Sequence, residues 1–291
     1  IAFDHKGRPM TKQRFLSLDV MRGLTLALMI LVNTPGSWSA VYAPLLHADW
    51  HGATPTDYVF PFFLFIVGSA LFFSSRSSVQ PSIRLVKIVR RSALIFLIGV
   101  LLNAYPFTGA LSELSVFGVL QRIALAYLIA EPVALFFRGW TRGAVMAALL
   151  LGYWAILQLG SDPYGVSGSV VRSVDLWLLG PDHLWQGKGI AFDPEGLLST
   201  LPAVVNVLLG FEVTRILCTL EPRSKAVRYL SALGVGLEVL GLLWHPFFPI
   251  NNYLWTSSFV LLTSGVAILV LLLLVALESL PVTRPLYRAC Q

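Results

Sequence analysis

Charge is what this sequence has least of. Asp, Glu, Lys and Arg make up 12% of its 291 residues, while 56% are hydrophobic. Soluble domains carry about 25% charged residues, and so few charges cannot cover the surface of a soluble domain of this length. The shortage excludes a cytoplasmic globular enzyme and a disordered chain, and a mean hydropathy of +0.74 points to lipid as the solvent. Cysteine is almost absent: Cys218 and Cys290 lie far apart in sequence, so neither a disulfide framework nor a cysteine metal cluster can be built. No Gly-rich phosphate loop, HExxH, GxSxG or paired-carboxylate glycosidase pattern occurs. Nor is there an internal repeat or a composition break, so residues 1–291 read as a single transmembrane domain.

What is present is a series of long apolar runs. A spanning helix needs about 20 mostly apolar residues. Eight segments qualify: Leu18–Val32, Tyr58–Ser74, Ile88–Tyr105, Val116–Phe136, Ala144–Leu159, Leu197–Ile216, Val227–Trp244 and Trp255–Leu277. They are too long for barrel strands and lack period-2 alternation, so an all-α polytopic bundle is expected. The cations sort by loop. Seventeen of the 21 Lys and Arg, from Lys6, Arg8, Lys12 and Arg14 to Arg284 and Arg288, fall on one side. Only Arg172 and Lys188 fall on the other, and Arg22 and Arg122 lie within spans. The positive-inside rule makes the crowded side cytoplasmic, and an even span count puts both termini there. The excess of six positive charges therefore reports lipid topology, and no nucleic-acid partner is expected. Trp38, Trp50, Trp177, Trp185, Trp244 and Trp255 gather near outer span ends, as interfacial aromatics do. Residues 1–15 are polar and basic, so the first apolar run reads as an uncleaved signal anchor.

Several polar residues sit where they are expensive. Asp19 and Arg22 are three apart at the inner end of the first span, either an interfacial ion pair or a site for an anionic group. Asn33 ends that span before Thr-Pro-Gly. The segment from Leu46 to Asp57 holds His47, Asp49, His51, Thr56 and Asp57, with Thr56 and Asp57 opening the second span like an N-cap. His47 and His51 could share a helix face and a metal, but Gly52 interrupts the turn and no further ligand pair is apparent, so no metal is expected. A histidine at a cavity mouth suits general-base work instead. Gln121 and Arg122 lie within the fourth span, where an unpaired charge costs ~2.5 kcal/mol or more. Asp193-Pro194-Glu195-Gly196 leads into the sixth span, and Asn251-Asn252 joins the last two, as a turn or as partners for sugar hydroxyls.

These residues fall in ordered motifs: Arg14 to Gly23 and on to Asn33; Leu46 to Ser69; Gly118-Val119-Leu120-Gln121-Arg122; Phe192 to Gly196; and Pro249 to Trp255. Together they resemble the heparan-alpha-glucosaminide N-acetyltransferase family, specifically its bacterial inner-membrane members. The resemblance implies a multi-pass enzyme of the bacterial inner membrane. It would use cytoplasmic acetyl-CoA as acyl donor, with no metal, and acetylate the amine of a glucosamine-type sugar or glycan on the periplasmic side. The family's active-site histidine falls on His47 and its active-site asparagine on Asn33. Asp57, Arg122, Asp193, Glu195, Asn251 and Asn252 are then expected to bind the acceptor, and Arg22, Arg90 and Arg91 the CoA phosphates. A homodimer is a further candidate assembly. Where animal members carry Asn, this chain has His51. Members continue with further helices beyond the last span, so the chain reads as truncated after Gln291. An amino-sugar permease and an O-acyltransferase of cell-envelope glycans are the alternatives. The lack of paired broken helices argues against the permease.

Overall fold

In the computed structural model, the described residues are 15–37, 40–76, 80–107 and 109–278. Lys6, Arg8, Lys12, Arg14, Trp38, Arg284, Arg288 and Cys290 lie outside them. The described residues form nine α-helices and no strand: α1 Leu16–Asn33, α2 Val59–Ser75, α3 Pro81–Ala104, α4 Val119–Phe136, α5 Trp140–Leu157, α6 Val170–Leu179, α7 Thr200–Thr219, α8 Arg223–Trp244 and α9 Ser257–Glu278. Seven of them are long and apolar enough to cross a membrane: α1, α2 with the 3-10 turn that precedes it, α4, α5, α7, α8 and α9. The eighth expected span, α3, is 24 residues long but carries Arg84, Lys87, Arg90 and Arg91 in its first half. The molecule is a multi-pass helical membrane protein.

Two boundaries differ from the hydropathy reading for one reason. α3 begins at Pro81 and α8 at Arg223, each several residues before its apolar run. Pro81 opens the first turn of α3, where a fixed helical φ fits and no donor is needed, and Pro222 is the N-cap of α8. A helix does not stop where hydrocarbon stops. The segment Gly160–Gly196, read as a polar loop, folds around α6, whose N-cap Ser169 accepts a hydrogen bond from Arg172 N at 3.4 Å.

α7 is the centre of the bundle, packed against α2, α4, α5, α8 and α9. Its crossing with α2 is close because glycine lines both sides. A Cβ on Gly68 would sit 1.7 Å from Val207 O, and one on Gly210 would sit 1.9 Å from Phe65 O. Ser69 Oγ donates to Gly210 O across the same crossing. In lipid, where apolar burial drives little, such small-residue contacts hold helices together. α9 fills the other side of the core and pairs with α8 along its length.

The bundle thus has two ends. At the basic end, Arg142 of α5, buried, pairs with Glu212 of α7 and donates to Ala134 O and Phe137 O, tying α4, α5 and α7 together. At the loop end, the segment Ala40–Tyr58, α6 and the turn Pro249–Thr256 fold over the bundle. Gly52 at φ +102, a backbone that favours glycine, bridges Asn251, and Gly52 N donates to Ile250 O at 2.8 Å.

Candidate active site

The loop end is organised around one carboxylate. Asp57 closes the 3-10 turn Pro55–Tyr58 at the mouth of α2, and its side chain is fully buried. Oδ2 accepts from Thr54 N at 2.7 Å and from Ala48 N at 3.2 Å. Thr54, rather than the expected Thr56, is therefore the N-cap, and Asp57 is its third-position partner. Oδ1 faces His47 Nδ1 at 2.6 Å and accepts from Asn252 Nδ2 at 3.1 Å. His47 itself is half exposed. With Nδ1–H donated to Asp57, the ring is held in one tautomer and Nε2 is left as the accepting nitrogen. This is the carboxylate–histidine logic of a general base.

The two asparagines divide their work. Asn251, fully buried, builds the turn: Oδ1 accepts from Leu254 N at 2.8 Å, and Nδ2 lies 3.3 Å from His51 Nδ1. Asn252 reaches Asp57. His47 and His51 therefore turn to different partners rather than to a common point. Burial, with help from His245, holds the His51 pKa below its ordinary value. Asn33 ends α1 exposed, with Nδ2 donated to Met29 O at 2.9 Å. Among the described residues no hydrogen bond joins it to His47.

Beside this dyad sits a second polar group. Arg122 is fully buried, so it does not snorkel. Its Nη2 donates to Pro194 O at 2.5 Å and to Ser199 Oγ, and its Cζ lies 4.6 Å over the Trp255 ring. Trp255, expected at the interface, is 1% exposed. Its Nε1 donates to Asn206 Oδ1 at 3.0 Å, and its backbone is held at φ 51, a strained conformation for so large a residue. Asp193 Oδ1 accepts from Glu195 N at 2.9 Å, which shapes the turn that receives Arg122. Asp175 of α6 completes the group: it is buried, and its Oδ1 accepts from Leu197 N at 3.0 Å. Burial pushes the Asp175 carboxyl up to about 7, against the pull of Leu197 N and Arg122, with Asp193 adding to the rise. Burial likewise raises Glu195 to about 7, although Arg122 and His47 pull it down. Asp175 was not among the expected site residues.

At the basic end, Arg84, Lys87, Arg90, Arg91, Tyr127 and Glu131 line a crevice of about 510 Å³ between α3 and α4. A second crevice of about 340 Å³ shares Ser74, Arg91 and Tyr127 with it and continues along α2 past Leu71 and Val67 to Phe63, with Arg22 on its rim. Arg22, Arg90 and Arg91, the residues expected to meet the CoA phosphates, thus line adjoining clefts. Arg22 also meets Asp19 at 3.3 Å, in the exposed pair the i, i+3 spacing suggested. Arg84 pairs with Glu131 at 2.8 Å, both buried, while Arg91 lies over the Tyr127 ring at 5.1 Å. Among the described residues no group of three or more His, Cys, Asp or Glu could hold a metal ion.

Comparison with known proteins falls on this same part of the chain. Residues 14–235, which hold His47, Asp57, Arg122 and Glu195, match the family model described as heparan-alpha-glucosaminide N-acetyltransferase, catalytic. The heparan-alpha-glucosaminide N-acetyltransferase of Homo sapiens is 30% identical over 90% of this chain and 48% of its own length. That of Mus musculus is 30% identical over 92% of this chain and 50% of its own. The chain spans about half the length of these relatives. With the match running through the loop-end dyad and the basic crevice alike, the chain belongs to the heparan-alpha-glucosaminide N-acetyltransferase family.

Proposed function

We propose that this protein moves an acetyl group from acetyl-CoA, bound at the basic end, to the amine of a glucosamine-type sugar at the loop end. The observation that carries the reading is the 2.6 Å contact between His47 Nδ1 and the buried Asp57. It leaves Nε2 of a half-exposed histidine to take a proton from the attacking amine and pass it to the leaving sulfur. Asn33 has a second amide hydrogen beyond the one given to Met29 O, and it is the candidate donor to the thioester oxygen as charge develops there.

The two clefts support the donor's route. Arg90, Arg91 and Lys87 suit the CoA phosphates. From Ser74 to Phe63 the second cleft follows α2 for about 16 Å of a hydrocarbon core of about 30 Å, at 1.5 Å per residue. Asp57 lies a further six residues toward the loop end. We assign the protein to a bacterial inner membrane from its resemblance to bacterial members of the family, and orient it by the positive-inside rule with the basic end cytoplasmic and the loop end periplasmic. Amine rather than hydroxyl as acceptor rests on the relatives being N-acetyltransferases by name.

Sealed inside-out vesicles containing the protein test the reading. Label from external acetyl-CoA should appear on glucosamine trapped in the lumen. Label on hydroxyl sugars alone would replace the N-acetyl reading with an O-acetyl one. Saturable glucosamine uptake indifferent to acetyl-CoA would replace it with a permease.

A further inference from the structure

Two loop-end cations lie outside the spans, and they behave differently. Arg172 binds its own segment, with Nε donating to Ala191 O at 2.7 Å, whereas Lys188 reaches out of it. Lys188 stands at the tip of a short finger. Phe192 N donates to Trp185 O at 2.9 Å and closes the finger's base, and Gly189, at φ +77, donates its N–H to Gln186 O at 3.0 Å and turns the tip. Ala191 and Phe192 bury the base. From this fixed base the Lys188 ammonium donates to Asp49 O and lies 4.3 Å over the Tyr253 ring. It therefore touches the His47 loop and the turn Pro249–Thr256 at once. Trp50, stacked on Tyr253 at 5.3 Å and set edge-on to Phe192 at 5.5 Å, joins the same three elements.

Both contacts fall one residue from a partner of Asp57. Asp49 follows Ala48, whose N–H donates to Asp57 Oδ2 at 3.2 Å, and Tyr253 follows Asn252, whose Nδ2 donates to Oδ1 at 3.1 Å. We propose that Lys188 is a positioning residue that pins these two segments to each other and so holds Asp57 in the orientation that faces His47. Its effect on rate rests on the acetyl-transfer reading, while the latch itself does not. An ammonium suits the task, because it can give an N–H to a carbonyl while its charge meets a ring face. Thr54 N, the third group that donates to Asp57, belongs to the same 3-10 turn, and its bond does not pass through the latch. Loss of the ammonium should therefore leave the turn folded and Asp57 bound by one amide, with the plane of its carboxylate no longer fixed. A carboxylate that turns away from Nδ1 no longer sets the tautomer and orientation of the ring. Lys188 touches no reacting group in this scheme and acts only through Asp57 and His47.

The test uses the whole chain in nanodiscs. Lys188→Met keeps the length of the side chain and removes its charge and donors, while Lys188→Arg keeps both and can still cover the ring. In Lys188→Met the Ala48 amide should exchange with deuterium ~10-fold faster than in wild type, about the strength of one charge-assisted hydrogen bond, with the Thr54 amide unchanged. Transfer from acetyl-CoA to glucosamine should lose ~10-fold in kcat on the same grounds, with KM for acetyl-CoA unchanged. Lys188→Arg should restore most of both, and monodisperse yield should be equal in all three proteins. Ala48 exchange that stays at the wild-type rate in Lys188→Met overturns the latch, whatever happens to kcat. Faster exchange with kcat intact overturns its part in positioning. A drop in yield in Lys188→Met makes the lysine a folding residue and overturns the proposal as well. If no amine is acetylated by wild type, the transfer reading fails by itself, and the exchange arm still decides the latch.

Discussion

The two ends of the bundle hold their polar residues in opposite ways. At the loop end the central groups are fixed by backbone and side-chain partners together. Asp57 is gripped by two amide N–H groups, His47 and Asn252, and Arg122 is held by a carbonyl and a serine. At the basic end Arg84 and Arg142 are locked, by Glu131 and Glu212, but Arg22, Lys87 and Arg90 line open clefts. The first arrangement gives a reacting group one orientation, which chemistry needs. On the proposed reading, the second offers exposed cations to a multiply charged ligand that must enter and leave, where attraction matters more than orientation. On the proposed reading one chain carries a rigid centre and a soft docking cleft, and the groove along α2 runs from the cleft toward the centre as far as Phe63.

The largest expected effect strikes the rigid end. His47→Ala should lower turnover by roughly 10²-fold or more, in the range of general acid–base catalysis, while acetyl-CoA binding persists. Asp57→Asn should lose a similar amount, because an amide can present its N–H to Nδ1 and reverse the tautomer. Asp57→Asn should also lower folded yield, since the same carboxylate closes the capping box of the 3-10 turn that leads into α2. Turnover per folded molecule separates the two losses. Full activity in His47→Ala would move the chemistry elsewhere.

How much of this was legible in the sequence follows the same division. The spans are visible because hydrocarbon demands long apolar runs, and the residues of both ends were singled out individually. Pairings were not. His47 and Asp57 are ten residues apart in an irregular loop, and only the folded turn brings them to 2.6 Å. Asp175 was lost in a segment read as loop. Yet Ser169 caps a run in which Val171 and Asp175 are four apart, so a carboxylate on the buried face was readable in principle. Glu131 gave its own signal, an acid inside a span, and its partner Arg84 lay beyond the apolar run assigned to α3.

At the soft end the effects should be smaller and additive. Arg91→Ala or Arg90→Ala should each raise KM for acetyl-CoA by ~3–10-fold, about the strength of one partly exposed phosphate contact, with kcat nearly unchanged. Raising salt should weaken wild-type donor binding and leave these variants less affected. A fall in kcat without a change in KM would mean that these arginines belong to the chemistry and would erase the contrast between the ends. His51→Asn tests it from the other side. An asparagine can still meet Asn251 Nδ2, and activity should stay within ~3-fold, the reach of a surface substitution of under 1 kcal/mol. A collapse as deep as that of His47→Ala would reinstate a paired-histidine site.

The smallest effect concerns stability and sharpens what rigidity costs at the loop end. Asp175 is buried with one oxygen unpartnered, and its folded pKa stands near 7 against about 3.9 in an unfolded chain. The folded state therefore holds the Asp175 proton more tightly than the unfolded state does. Its contribution to stability is full below about pH 4 and is lost progressively as pH rises through 7. Asp175→Asn removes this titration while keeping an acceptor for Leu197 N. Thermal unfolding in detergent should show the wild type losing stability relative to Asp175→Asn between pH 5 and 8, with the variant equal or more stable at pH 8. A constant difference across the pH range would mean that Asp175 stays ionised throughout and that the loop end is as well compensated as the basic end.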